Sequence, residues 1–349
     1  MKNAFFILSL FLAGFATAQK VDLDPFHFNY EYRNLPHTVL DSTLKTYSPL
    51  IDVTARTEEF VTADIISSRI VLQGYELAGR EADIKYGFTF SDLIIENYEI
   101  KESVSESKNK DGSVTKTYSY YINLNYSISA TASLRDKSGT DLVRALNVFS
   151  NRTFNWTSKE YKNRYDASNY YTNNRNSIKG NLVREKLNEA INAANNWANM
   201  HAGFPKTESN LYLWILDNKK HPEYEGMQTR WNALKPALQS ASAGSLPDDV
   251  KSKMTEMIKY FDGLKATYNK DEKADKKMRY AAYYNNAQLY LLLDMPDKAL
   301  TEAEGLITND YDAKDGKTLK EQAEKLTELF NKNNIYTRHF NADSRPYKR

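Results

Sequence analysis

Histidine is the commonest metal ligand and general base, so the five histidines His27, His37, His201, His221 and His339 come first. They stand far apart in sequence, and none belongs to a His-Glu-x-x-His or other close ligand pair. A zinc site on one helix is therefore not supported. Gly316-Lys317-Thr318 has the ending of a phosphate-binding loop. The glycine that motif needs five residues earlier is replaced by Tyr311, and no buried strand leads into it. The acidic stretch from Asn309 to Gly316 suggests calcium, yet an EF-hand register with Gly316 sixth puts Tyr311 first, Ala313 third and Gln322 last. Those side chains cannot supply the charged oxygens, and helix capping explains the aspartates better. No Gly-x-Ser-x-Gly elbow and no Gly-x-Gly-x-x-Gly loop occurs. The absence of cysteine removes disulfides, thiolate ligands and cysteine nucleophiles. We accordingly expect no cofactor, no metal and no catalytic residue.

The start of the chain reads as an export signal. Lys2 is followed by an apolar run from Ala4 to Phe15, and Ala16-Thr17-Ala18 has the small-x-small cleavage pattern. The run is shorter than the ~20 apolar residues that span a bilayer, so a cleaved signal over 1–18 is expected, with no integral span afterwards. Gln19 stands where a lipoprotein would carry its lipid-bearing cysteine. The expected location is the periplasm or the cell surface and beyond, without a lipid anchor.

The whole chain has 349 residues, about two domains at roughly 150 residues each. Forty-seven basic residues against 45 acidic ones leave a net charge of +2, which disfavours a nucleic-acid surface.

From 19 to 155 the hydrophobic period is two, as half-buried strands require. Ile84, Tyr86, Phe88 and Phe90 alternate with polar or small residues, and earlier strands are expected near Leu50–Thr57 and Ile65–Glu76. A three-residue loop at Lys110-Asp111-Gly112 pairs Val104 with Tyr118, Ile100 with Ile122, Tyr98 with Leu124 and Glu106 with Lys116. That register puts every apolar residue on one face. The same logic at Lys137-Ser138-Gly139 pairs Leu134 with Leu142, Ala130 with Leu146 and Ile128 with Val148. The expectation is an antiparallel β domain, closed as a sandwich or packed against another element.

After an Asn- and Tyr-rich junction over 156–176, the period becomes helical. Ile178, Leu182, Leu187, Ile191, Ala194 and Trp197 form one stripe, and further apolar stripes follow to 335. The Leu211–Leu216 run falls inside this region. Within it, Tyr283, Ala287, Tyr290 and Ala299 take the fourth, eighth, eleventh and twentieth places of a repeat whose turn is Asp294-Met295-Pro296. The segment from Tyr280 to Tyr311 resembles a tetratricopeptide repeat. Asn286, Ala303 and Tyr311 depart from its pattern, and no second copy lies 34 residues away. The fold class expected is α+β: the β domain, then an array of tetratricopeptide-like helix pairs over 177–335, then a basic docking or disordered tail over 336–349.

The resemblance implies that Tyr284, Gln288 and Leu291 line a concave, partner-binding face. The leading expectation is a non-enzymatic envelope protein that binds or assembles with another envelope protein. A second class is glycan binding on an aromatic sheet face of Tyr118, Tyr120 and Tyr126. A third is a hydrolase with an unrecognised polar site.

Overall fold

The structure is a computed structural model that describes residues 20–341 and 345–346. The expected signal over 1–18 lies outside the described residues. In chain order the elements are β1 (Leu23–Arg33), β2 (Thr46–Val53), α1 (Ala55–Glu58), α2 (Ala63–Ser67), β3 (Glu76–Leu77), β4 (Ile84–Phe90), β5 (Ile94–Lys108), β6 (Val114–Asp136) and β7 (Asp141–Thr157). There follow α3 (Arg164–His201), β8 (Lys206–Leu216), α4 (Tyr224–Leu238), α5 (Asp248–Thr267), α6 (Lys273–Leu292), α7 (Pro296–Thr308) and α8 (Ala313–Asn333). The fold is mixed α+β. Of the described residues, 34–206 and 345 form one unit, and 20–33, 207–341 and 346 form the other.

The first unit is a sheet covered by a helix. Its strand order is β3-β2-β4-β6-β5, with β7 also on β6. The sheet is not purely antiparallel as expected, because β2 runs parallel to both β3 and β4. A parallel neighbour needs a long crossover, and 54–83 supply it with α1 and α2. The strand expected at Ile65–Glu76 is that crossover. Thr62 is the N-cap residue of α2, whose Ile66 is fully buried, as are Ile70 and Leu72 just after it. The strand expected at Leu50–Thr57 stops at Val53, where Thr54 caps α1 by accepting from the Thr57 amide.

The first hairpin has the expected register: Val104 faces Tyr118, Ile100 faces Ile122 and Tyr98 faces Leu124, and Glu106 meets Lys116 at 2.9 Å. Gly112 has φ +87, the left-handed residue that the three-residue loop needs. The second hairpin keeps its register only beside the turn, at Arg135 and Asp141. Successive β-bulges then pair Leu134 with Val143, Ala132 with Leu146, Ala130 with Phe149 and Ile128 with Arg152. Each irregularity adds a residue on the β7 side, so Val143 and Phe149 enter the core.

Asp83 ties the start of β2 to the start of β4. Its carboxylate accepts the Lys45 and Thr46 amides and the Thr46 hydroxyl, at 2.9–3.0 Å. The Lys45 amide bond leads in holding its pKa well below the ordinary carboxylate value. A depressed folded pKa contributes stability that is complete above the unfolded value near 4 and drains away as pH falls toward the folded value. Asp83→Asn should therefore lower the urea midpoint at pH 6 and narrow the gap between variant and wild type at pH 3. A gap that is constant or widens in acid would contradict this assignment.

The long helix α3 covers the sheet, burying Leu182, Val183, Leu187, Ile191 and Ala194 in one core with Leu124, Tyr126 and the β4 aromatics. Tyr171, on its early turns, stacks on Tyr98 with ring centroids 4.0 Å apart. The expected junction over 156–176 is thus the end of β7 followed by the first turns of α3. Asn163 caps that helix by accepting from the Asp166 amide. The helix belongs with the sheet rather than with the later helices.

The second unit combines a two-stranded ribbon of β1 and β8 with helices α4 to α8. The strands run antiparallel: the Asp217 amide meets the Asp22 carbonyl at one end, and Tyr32 meets Ser209 near the other. The stretch Leu211–Leu216, placed by the sequence in a helical region, is therefore strand. The ribbon lays Phe26 and Phe28 against the buried Trp231 of α4. The pair α6–α7 turns at Asp294 as expected, and Ala287, Ala299 and Ala303 are fully buried between helices. Gly316 is a packing residue of α8 rather than a loop residue. A Cβ there would stand 2.7 Å from Ile307 and 3.0 Å from the Ala303 carbonyl.

Candidate binding groove on the helical unit

The three residues expected to line a concave partner face do share one side of α6, but that side is closed. Tyr284 is 5% exposed, Gln288 9% and Leu291 7%. Tyr212 of β8 stacks on Tyr284 at 5.3 Å, and Gln288 is spent on the Tyr284 hydroxyl. Asn285 fastens this cover. Its side chain accepts the Trp214 amide and donates to the Trp214 carbonyl, both at 2.8 Å, as a neighbouring strand would.

The glycan candidates are divided. Tyr118 is half exposed near the tip of the first hairpin and Tyr120 is partly buried. Tyr126 is 2% exposed and stacks on Phe154. A buried ring offers no face to a sugar, so the three do not make a continuous platform.

The histidines are likewise separate. His37 and His201 approach one another at 6.3 Å, and burial, more than His37, lowers the His201 pKa. His221 is buried and accepts the Glu223 amide. Among the described residues, no group of three His, Asp or Glu side chains is arranged to hold a metal.

An open groove lies on the opposite side of α6. Successive helices α5, α6 and α7 alternate in direction, so α5 and α7 run parallel on either side of α6. Toward one end, Lys265 of α5 bridges to Glu302 of α7 at 2.7 Å, and Asp262 and Asn286 join the network. Burial, chiefly, raises the Glu302 pKa, against the lowering effect of Lys265. Toward the N-termini of α5 and α7 no such bridge spans the gap among the described residues, where Lys251 pairs only within α5, and a cavity of about 820 Å³ opens. Lys251, Thr255 and Ile258 form its α5 wall, with Tyr290 and Leu293 of α6 and Lys298 of α7 opposite.

The end wall is formed by Tyr336, Thr337 and His339, which fall in the stretch expected from the sequence to be a basic docking or disordered tail. Arg338 donates its Nε to Asp294 at 2.7 Å and its Nη2 to the Leu291 carbonyl, and its guanidinium lies 4.4 Å from the Tyr32 ring centroid. His339 bonds the Ser242 carbonyl at 2.6 Å through Nδ1 and meets Tyr30 through Nε2. Burial is the main cause that lowers the His339 pKa, so this wall carries neutral imidazole near pH 7. The docked segment presents Tyr336, which is 57% exposed, beside Met295 at 42%. Both residues also border a second cavity of about 390 Å³ over α8.

The sequence marks Tyr290 and the Asp294 turn, but as packing residues, and it carries no local signal for Lys251, Lys298 or Tyr336. The signal that joins them is the Asp294–Arg338 pair, which spans 44 residues and shows no spacing pattern.

The chain matches no family model and no curated protein. Among solved structures, a crystal structure of a minor lipoprotein from Acinetobacter baumannii is similar at 12% identity. The match covers 47% of this chain and 99% of that one, with a TM-score of 0.19. A score that low assigns no fold. Among the described residues, no helix is long and apolar enough to cross a membrane.

Proposed function

We propose that this protein is an exported, non-enzymatic binding or assembly module of the bacterial cell envelope, and that its helical unit holds a partner protein. The observation that carries this reading is the groove between α5 and α7, open and edged by the exposed Met295 and Tyr336. Methionine and tyrosine are favoured at protein interfaces, because one adapts its shape and the other offers rigid amphipathic area. The tetratricopeptide-like residues of the α6–α7 pair support a scaffold role, although the partner would meet the groove and not the buried face of Tyr284. The apolar leader ending at Ala18 supports export, and near-neutral charge favours a protein partner over a nucleic acid.

Affinity capture from envelope extracts, with residues 19–349 immobilised, tests the reading. A specific protein that is retained reproducibly and competed by free protein is the expected result. Recovery of no specific partner across several extraction conditions would count decisively against it.

A further inference from the structure

We propose, building on the binding-module reading, that the groove takes an extended acidic segment of the partner. An apolar side chain of that segment sits in the larger cavity, and a carboxylate lies on Lys298.

The charges around the groove select the sign of the ligand. Lys298 is exposed, its ammonium lies 5.5 Å from the Tyr290 ring centroid, and it has no carboxylate partner among the described residues. Asp294, the carboxylate of this wall, is already consumed by Arg338, and only 3% of its side chain is exposed. Lys251 pairs with Asp248, but that carboxylate is 97% exposed, and so open a pair yields readily to a better-placed anion. The lining of the larger cavity therefore presents one cation, Lys298, without a carboxylate partner among the described residues, and a second, Lys251, whose partner is solvent-exposed. Asp297, exposed on the border of the smaller cavity, sets a direction: the acidic end of the segment belongs over Lys298 and Lys251.

Shape selects a chain rather than a compact ligand. Asp294, Met295, Lys298 and Tyr336 border both cavities, so the two lie side by side with the exposed Met295 and Tyr336 between them. A small molecule would fill one cavity. A peptide in extended form passes from one cavity to the other, covers Met295 and Tyr336, and places side chains in both.

The test uses residues 19–349 and a phage library of random dodecapeptides. Enriched sequences should combine an aromatic or large aliphatic residue with Asp or Glu. The best one, synthesised with a fluorescent label, should bind about tenfold more weakly to Lys298→Glu than to wild type, in line with charge reversal at an interface. Its Glu→Gln version should lose affinity for wild type and lose less on the variant. Met295→Asp should weaken binding of both peptides. All these positions are exposed, so unchanged thermal midpoints will show that the variants fold. Enrichment without acidic residues, affinity unmoved by Lys298→Glu, or no enrichment would overturn the proposal. If the envelope partner captured by wild type is also held by Lys298→Glu and Met295→Asp, the groove proposal fails while the module reading stands. If wild type captures nothing, the module reading fails first.

Discussion

Asp294→Ala is expected to destabilise the helical unit by about 3–5 kcal/mol, the usual cost of removing one partner from a buried ion pair. At this size that lowers the thermal midpoint by roughly 10 °C. The side chain does three things at once. Oδ1 accepts Arg338 Nε at 2.7 Å, and Oδ2 accepts the Arg338 amide at 2.6 Å and the Thr337 hydroxyl at 2.7 Å. Without it, a guanidinium whose side chain is only 13% exposed is left beside the Leu291 carbonyl with its charge uncompensated. The residue also sits at φ +57, a conformation that Asp and Asn tolerate better than Ala. Asp294→Asn separates the two contributions, since it keeps the turn and one acceptor while removing the charge. It should fall between wild type and Asp294→Ala. The same substitution frees the segment carrying Tyr336 and His339, so binding to the groove should disappear with it. A midpoint within a degree or two of wild type for Asp294→Ala would show that the C-terminal segment is held by something else.

What could be read in advance was local. The first hairpin was legible because its turn chemistry and the one-sided apolar pattern of Tyr98, Ile100, Ile122 and Leu124 demand the same register. The second was legible only to Asp141, because bulges leave no mark that distinguishes Leu142 from Val143 as the inward residue. The stretch Ile65–Glu76 is a short apolar run of the kind in which strand and buried helix give the same signal. The early turns of α3 were missed because, up to Ile178, Ala167 is the only buried position and no stripe forms. The candidate site followed the same rule. The face shared by Tyr284, Gln288 and Leu291 followed from the tetratricopeptide resemblance, and the three do lie on one side of α6. Its cover did not follow, because β8 pairs with a strand about 180 residues earlier, and that partnership has no local cause. Arg338 reaches its acceptor in the same non-local way, and the end wall of the groove is held by that contact.

Asn285→Leu should be the most informative change on the covered side, with an expected loss of about 2–5 kcal/mol from two buried backbone groups left without partners. Leucine branches at the same carbon as asparagine but is bulkier, so no cavity opens and overpacking is an added cost. The main effect comes from the outer edge of β8, where the Trp214 amide and carbonyl both rely on this one amide group. Asn285 is fully buried, so water cannot take its place without opening the unit. Amide exchange at Trp214 should accelerate well before exchange in the helix core, because the edge opens locally when its fastening is lost. Unchanged exchange there would mean that packing of Tyr212 on Tyr284 holds the ribbon without the hydrogen bonds. The variant also bears on function. In wild type the ribbon already occupies the face that a tetratricopeptide-like pair would offer to a partner, whereas the groove beside Lys298 is open. Loosening the ribbon should uncover Tyr284 and Leu291 and increase binding of a hydrophobic dye, yet leave the affinity for an acidic peptide close to that of wild type. That combination would assign β8 the role of a permanent internal occupant and leave partner recognition to the opposite side of α6.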